Sequence, residues 1–302
     1  MPKTWDEYLQ VGQFFTRKAG EKLAGKTLTR PFYGCDEYGQ RGFSWAWFVD
    51  RWASAGGVYF DENMKPQIDS PAAVKALQNM VTAVKTCAPK DVLNHGYDQL
   101  RDALLKNQAF MVVQWTDVPK KGADPTQSDV VGKLGYALLP GTKTGGKIVT
   151  RSMMPVGRVL AVTKNSKNPE AAYWLAKYIS DDTSKFNVST PLTGLDPYRY
   201  SQLKPSFYKM FKSKSDAQTY LKTVEGALTV GFPEIYIPGA AQYEDALDLA
   251  VNKALSGQQQ PEAALKDAAK AWDSITEKLD RKHQTELWRN ALKTYRELGL
   301  VK

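Results

Sequence analysis

The sequence is short of the residues from which most metal and nucleophile sites are built. Its 302 residues contain two cysteines, Cys35 and Cys87, and two histidines, His95 and His283. The cysteines form no CxxC, and neither has a histidine at metal-ligand spacing, so no zinc or thiol-redox motif is present. No G-x-S-x-G or H-E-x-x-H signature occurs, and nothing in the chain calls for a cofactor. No apolar run approaches the ~20 residues of a membrane span. A one-signed charge tract is missing as well. Lys and Arg number 41 against 32 Asp and Glu, a net +9, but the two signs are interspersed throughout. That pattern describes a solvated mixed surface and argues against a nucleic-acid partner. The start "MPKTWDEYLQVGQFF" has no charged leader, apolar signal core or first strand. It opens directly on a helix start, with Thr4 as cap and Glu7 three residues on.

What the chain does contain is helix alternating with short apolar strands, followed by a helical tail, which argues an α/β protein. Helices are expected at 4–18 and 42–57. In the second, Trp45, Phe48 and Trp52 make one face, while Trp47 and Arg51 share another. A third helix is expected at 68–85, with Ser70 as cap, Pro71 in the first turn and Val74, Leu77, Val81 and Val84 as its stripe. Further helices follow at 97–108 and 169–180, then roughly at 212–228, 240–256, 261–279 and 283–297. "KTLTRPFYGCDEYG" (26–39), "AFMVVQW" (109–115), "KLGYALLPG" (133–141) and "GRVLAVTK" (157–164) read as strands, the second buried on both faces. "PGTKTGGKI" (140–148) holds most of a phosphate loop. It has Ile148 where Ser or Thr must hold magnesium, and no helix follows, so it reads as a surface hairpin.

Aromatic residues make up 11% of the chain, including 8 Trp. Several stand at the ends of elements, where ring faces could stack on the C–H faces of a sugar while Asp, Arg and Asn bond its hydroxyls. For most of them, burial in the core is the simpler reading. "QWTDV" (114–118) is the exception. A Trp at the carboxyl end of a buried strand, followed by Thr116 and Asp117, occupies the usual place of an α/β binding crevice.

Seven segments then come in a telling order: "PKTWDEYL", "SAGGVYFDENMKPQIDSPAAVKAL", "LLKNQAFMVVQWTDV", "VGKLGYALLPG", "GRVLAVTKNSKNPEAAYWLAKYIS", "STPLTGLDPYRYSQ" and "IPGAAQYEDALDLAVNKALSGQQQPEAALKDAAKAWDSITEKL". Together they resemble the extracellular solute-binding proteins of family 1, the periplasmic sugar-binding subunits of ABC importers. The resemblance implies an α/β, periplasmic-binding-protein-like lobe, a mixed sheet flanked by helices with a helical C-terminal region, from which the first lobe is largely missing. Residues 1–153 and 187–302 would form the ligand-binding second lobe. Residues 154–186 would be a remnant of the first, one strand and one helix left uncovered.

The implied function is non-enzymatic capture of a carbohydrate or polyol, delivered to ABC permease subunits from the periplasm. The implied binding residues are Ser44, Trp45 and Trp47, then Trp115, Thr116 and Asp117, then Tyr236 and Tyr243, with Arg151 as a hydroxyl donor. Two rivals stand beside this: a carbohydrate-active hydrolase using the same aromatics, and an interaction module that completes its missing lobe with a partner. Pairing of the remnant with a second copy, as a homodimer, is one form of the latter. Two readings of the cysteines also stand: buried free thiols, or a Cys35–Cys87 disulfide suited to an exported chain. Such a disulfide would close a loop worth on the order of 4 kcal/mol in the chain-entropy model.

Overall fold

The first helix begins where its cap predicts. The Thr4 hydroxyl accepts the Glu7 N–H at 3.2 Å, and α1 runs Trp5–Phe15. Glu7 does not reach back to Thr4; its carboxylate takes the Lys3 N–H at 2.7 Å. The computed structural model describes residues 1–153, 159–181 and 185–301. After α1 come the two-residue strands β1 (Lys22–Leu23) and β2 (Lys26–Thr27), then β3 (Tyr33–Asp36), α2 (Ser44–Ser54), α3 (Pro71–Thr86), α4 (Tyr97–Leu105) and β4 (Ala109–Val112). A short α5 (Val118–Gly122) precedes the hairpin β5 (Thr142–Thr144) and β6 (Lys147–Val149), and β7 (Ser152–Met153) follows it. Beyond lie α6 (Pro169–Ser180), α7 (Lys185–Ser189), α8 (Lys214–Thr229), β8 (Gly231–Phe232), α9 (Ala240–Leu255), α10 (Pro261–Lys278) and α11 (Arg281–Glu297).

The described chain divides into two compact units, one made of Met1–Val113, Leu138–Pro155 and Ala227–Lys302, the other of Gln114–Ala137 and Val156–Gly226. These boundaries are drawn by packing and differ from the lobe boundaries that the family resemblance implies.

In the first unit β3 and β4 pair in parallel, Cys35 opposite Met111. Helix α1 lies directly on this pair. A Cβ on Gly34 would fall 1.6 Å from the Gly12 carbonyl oxygen, so neither backbone leaves room for a side chain. Thr16 ties the contact by donating to Gly12 and accepting from Gly34. Helix α2 is buried along its whole length, charged residues included. Arg51 within it donates to Glu37 at 2.5 Å, to the Trp47 carbonyl at 3.0 Å and to Asn79 at 3.2 Å, and its guanidinium lies 4.2 Å from the Trp5 ring. A buried charge is tolerable only when its donors are satisfied in this way.

The second half of this unit is an aromatic core. Phe60 sits 4.8 Å from Trp272, 5.2 Å from Tyr243 and 5.4 Å from Trp288, measured between ring centroids. The polar ends of these rings find partners: Trp272 donates to the Tyr243 carbonyl at 2.7 Å and Trp288 to the Phe60 carbonyl at 3.1 Å.

Three strand expectations need correction. The 109–115 strand is four residues long and is not buried on both faces: Phe110 is exposed and stacks on Phe15 at 3.7 Å. Residues 133–140 form no strand. Of the strand expected at 157–164, residues 157 and 158 lie outside the described residues. The remainder is not a strand, and Val159 is 91% exposed. In place of one mixed sheet, the described strands form four separate pairs, two parallel and two antiparallel. The 140–148 segment is a hairpin as expected, turning at Gly145 and Gly146, both at positive φ.

Candidate functional site

The candidate residues fall into both units, and their surroundings separate them. In the first unit, Asp248 of α9 caps α2 from a distance of about two hundred positions in sequence. One of its oxygens accepts the Ser44 hydroxyl at 2.6 Å and the Trp45 N–H at 3.1 Å. The other accepts the Gly42 N–H at 2.8 Å and the Arg41 guanidinium at 3.1 Å. An α2 N-terminus with no side-chain cap of its own thus has its free donors met by a buried carboxylate.

Ser44 is therefore committed to capping. Trp45 and Trp47 are buried, and the Trp47 indole donates to the Val113 carbonyl at 3.1 Å. Tyr243 is fully buried and shares a 2.9 Å hydrogen bond with Thr276. The Arg151 guanidinium donates to the Gly299 and Leu300 carbonyls at 3.0 and 3.4 Å, just past the end of α11. Ser44, Trp45, Trp47, Tyr243 and Arg151, expected at a binding face, are thus structural in this unit. The rings are buried, the Ser44 hydroxyl is taken by Asp248, and Arg151, half-buried, spends one guanidinium nitrogen on the carbonyls past α11. Tyr236 differs, with two thirds of its surface exposed.

In the second unit the "QWTDV" corner is built as a polar cluster. Trp115 and Thr116 are half-buried and Asp117 is buried, all immediately ahead of α5. The Thr116 hydroxyl donates to Asp196 at 2.5 Å. Lys120, wholly buried in α5, donates to the carbonyls of Val188 at 3.0 Å and Leu195 at 2.6 Å, which pins the segment carrying Asp196. Gly194 passes close to Asp117: a Cβ there would meet the carboxylate at 3.4 Å. Burial lowers the Lys120 pKa, opposed by Asp196 and Asp117, and burial raises that of Asp196, opposed by the Thr116 hydrogen bond.

The cluster rests on an apolar base of Tyr208, Phe211, Tyr220 and Leu221. Sequence reasoning missed Asp196 and Lys120. The first lies in "STPLTGLDPYRYSQ", a segment that carries the family resemblance but no implied binding residue, and the second carries no pattern at all. Taken together, this corner holds one aromatic face, a hydroxyl and two carboxylates. Among the described residues, no group of three or more His, Cys, Asp or Glu is placed to hold a metal ion, and no helix is long and apolar enough to cross a membrane.

The family model described as bacterial extracellular solute-binding protein matches residues 2–185. A curated relative from Deinococcus radiodurans, called a probable ABC transporter-binding protein, is 29% identical over 180 residues, which are 59% of this chain and 40% of that one. Two solved structures share the fold. An ABC transporter solute-binding protein from Agrobacterium vitis with bound D-mannitol aligns with a TM-score of 0.74 at 21% identity, covering 93% of this chain and 67% of that one. One from Agrobacterium radiobacter in complex with ribitol aligns with a TM-score of 0.71 at 23% identity, covering 91% and 65%. The chain thus spans less than half the length of that curated relative and about two thirds of the length of the solved neighbours.

Proposed function

The chain belongs to the bacterial extracellular solute-binding protein family, and on that premise we propose that it is the larger part of a non-enzymatic binding protein. In this reading it captures a carbohydrate or polyol and hands it, chemically unchanged, to an ABC import permease, from the periplasm. The observation that carries the reading is the second unit's corner: Trp115 half-exposed beside Thr116, Asp117 and Asp196. Trp115 stacks on the C–H face of the solute, and the two carboxylates accept from its hydroxyls. The mannitol and ribitol bound by proteins of the same fold are consistent with this chemistry.

Residues 154–186 are assigned to a first lobe that lies outside these 302 residues. The support is α6, which buries none of its residues and exposes Tyr173, Trp174, Leu175 and Tyr178, each by more than half. The first lobe is the surface that covers this face.

Two measurements test the reading. Melting of the chain is followed with D-mannitol, ribitol, maltose and, as controls, amino acids, and the solute is recovered afterwards. A saturable rise with a polyol or sugar is expected, lost in Trp115→Ala, with the solute returned intact. Release of a product would make the protein a hydrolase, and no response to any polyol or sugar would overturn the assignment. Light scattering is expected to find a monomer. A dimer would give the α6 face to a second copy of the chain.

A further inference from the structure

The two cysteines lie together under α1. The Cys35 N–H donates to the Cys87 carbonyl at 3.2 Å, joining β3 to the end of α3. With standard backbone dimensions on each side of that bond, the two Cα atoms are at most about 7 Å apart, and disulfides span about 4.4–6.8 Å. The side chains converge as well. Each thiol perturbs the other, the Cys35 pKa being raised and the Cys87 pKa lowered by their interaction. A Cβ built on Gly12 would lie 2.9 Å from the Cys87 sulfur and 3.7 Å from the Cys35 sulfur, so both sulfurs fill one recess beneath the glycine. Both residues are buried free thiols in this structure, and the sequence offers no third cysteine to compete.

We propose that Cys35 and Cys87 form an internal disulfide when the chain folds in an oxidising compartment, locking β3 to the C-terminus of α3 beneath α1. The oxidant is a disulfide, either a small one or that of a dithiol oxidoreductase. One cysteine thiolate attacks it and expels the first thiolate, leaving a mixed disulfide. The second cysteine then attacks the bound protein sulfur and expels the other. The S–S bond formed in the protein replaces the one broken in the oxidant, and the two protons lost by the cysteines end on the oxidant's two thiols. Because α1 covers the sulfurs so closely, the bond closes before α1 docks, and once closed it is shielded from reductant. The pairing is independent of which solute the protein takes.

The test is refolding of the 302-residue chain from denaturant with oxidised or with reduced glutathione, followed by denaturation, alkylation and intact-mass measurement. After oxidative refolding we expect no alkylated thiol, a peptide map joining the two cysteine peptides, and a melting temperature higher by roughly 5–10 °C for a loop of this length. The Cys35→Ala/Cys87→Ala variant is expected to fold and to melt identically under both conditions. Two alkylatable thiols after oxidative refolding, glutathione adducts, or links between chains would each overturn the proposal.

Discussion

Helices α6 and α10 open with the same four residues, Pro-Glu-Ala-Ala, and both follow an amphipathic pattern. Their fates are opposite. Helix α10 buries Ala264, Leu265, Ala268, Trp272 and Thr276, and its Trp272 sits among Tyr59, Phe60 and Tyr243. Helix α6 buries nothing, and its Trp174 is 55% exposed, touched by the Lys177 ammonium at 4.7 Å. Periodicity fixes which face of a helix is apolar but does not supply the surface that covers it. In the first unit α9 and α11 supply that surface within the sequence; for α6 no such surface is present among the described residues.

The largest effect should come from emptying the covered side. Trp272→Ala removes a fully buried indole and is expected to lower stability by about 3–5 kcal/mol, read as a shift in urea midpoint. Close behind is Glu37→Ala, which strands the buried Arg51 guanidinium and should lower stability by about 3–5 kcal/mol in the same assay.

A pH dependence comes next. Burial pushes the Asp50 carboxyl up to about 8, even though it accepts the Met153 N–H at 2.6 Å. The unfolded chain releases that proton near pH 4, so between about 4 and 8 the folded state holds a proton that the unfolded state lacks. Stability should therefore fall as pH rises across that window, by up to about 1.4 kcal/mol per unit. His95 acts in the same sense, its pKa raised by Asp36 at 2.8 Å. Its contribution is full below its unfolded value and disappears as pH rises through the folded one. Melting curves from pH 5 to 9 measure the slope, and Asp50→Asn should flatten it.

Smaller again is Ser70→Ala, which removes the bond to the Ala73 N–H and is expected to lower stability by about 1 kcal/mol. The smallest effect belongs to the uncovered helix: Trp174→Ala should change stability by less than about 0.5 kcal/mol. A large loss there would mean that α6 is covered after all.

The sequence made the local grammar legible. Thr4 and Ser70 cap their helices, the Gly-Gly hairpin forms, and the helical tail follows its stripes nearly to the residue, because each depends on neighbours within a few positions. What it hid are the groups that meet across long separations. Ser44 looked like a hydroxyl offered to a ligand, yet its partner lies 204 residues away. Lys120 looked like any surface lysine, yet it ties a segment whose Leu195 carbonyl is 75 residues on. Trp45, Trp47 and Tyr243, implied as ring platforms, are core residues; the Trp47 indole donates to the Val113 carbonyl 66 positions on and the Tyr243 hydroxyl pairs with Thr276 33 positions on, partners that no pattern in the chain announces. Trp115, half-buried ahead of α5, and the exposed Tyr236 kept places where position along the chain and exposure agree.

The Asp248 cap sets an order on the protein's own synthesis. The Gly42 N–H it accepts emerges 206 residues before it, and at about 5–20 residues per second that is an interval of roughly 10–40 seconds. Throughout that interval the start of α2 has no partner for its leading N–H groups, and the helix around which the first unit is built cannot settle. A nascent chain of this design leaves the start of α2 uncapped until α9 has been made, which delays the settling of the first unit to a late step.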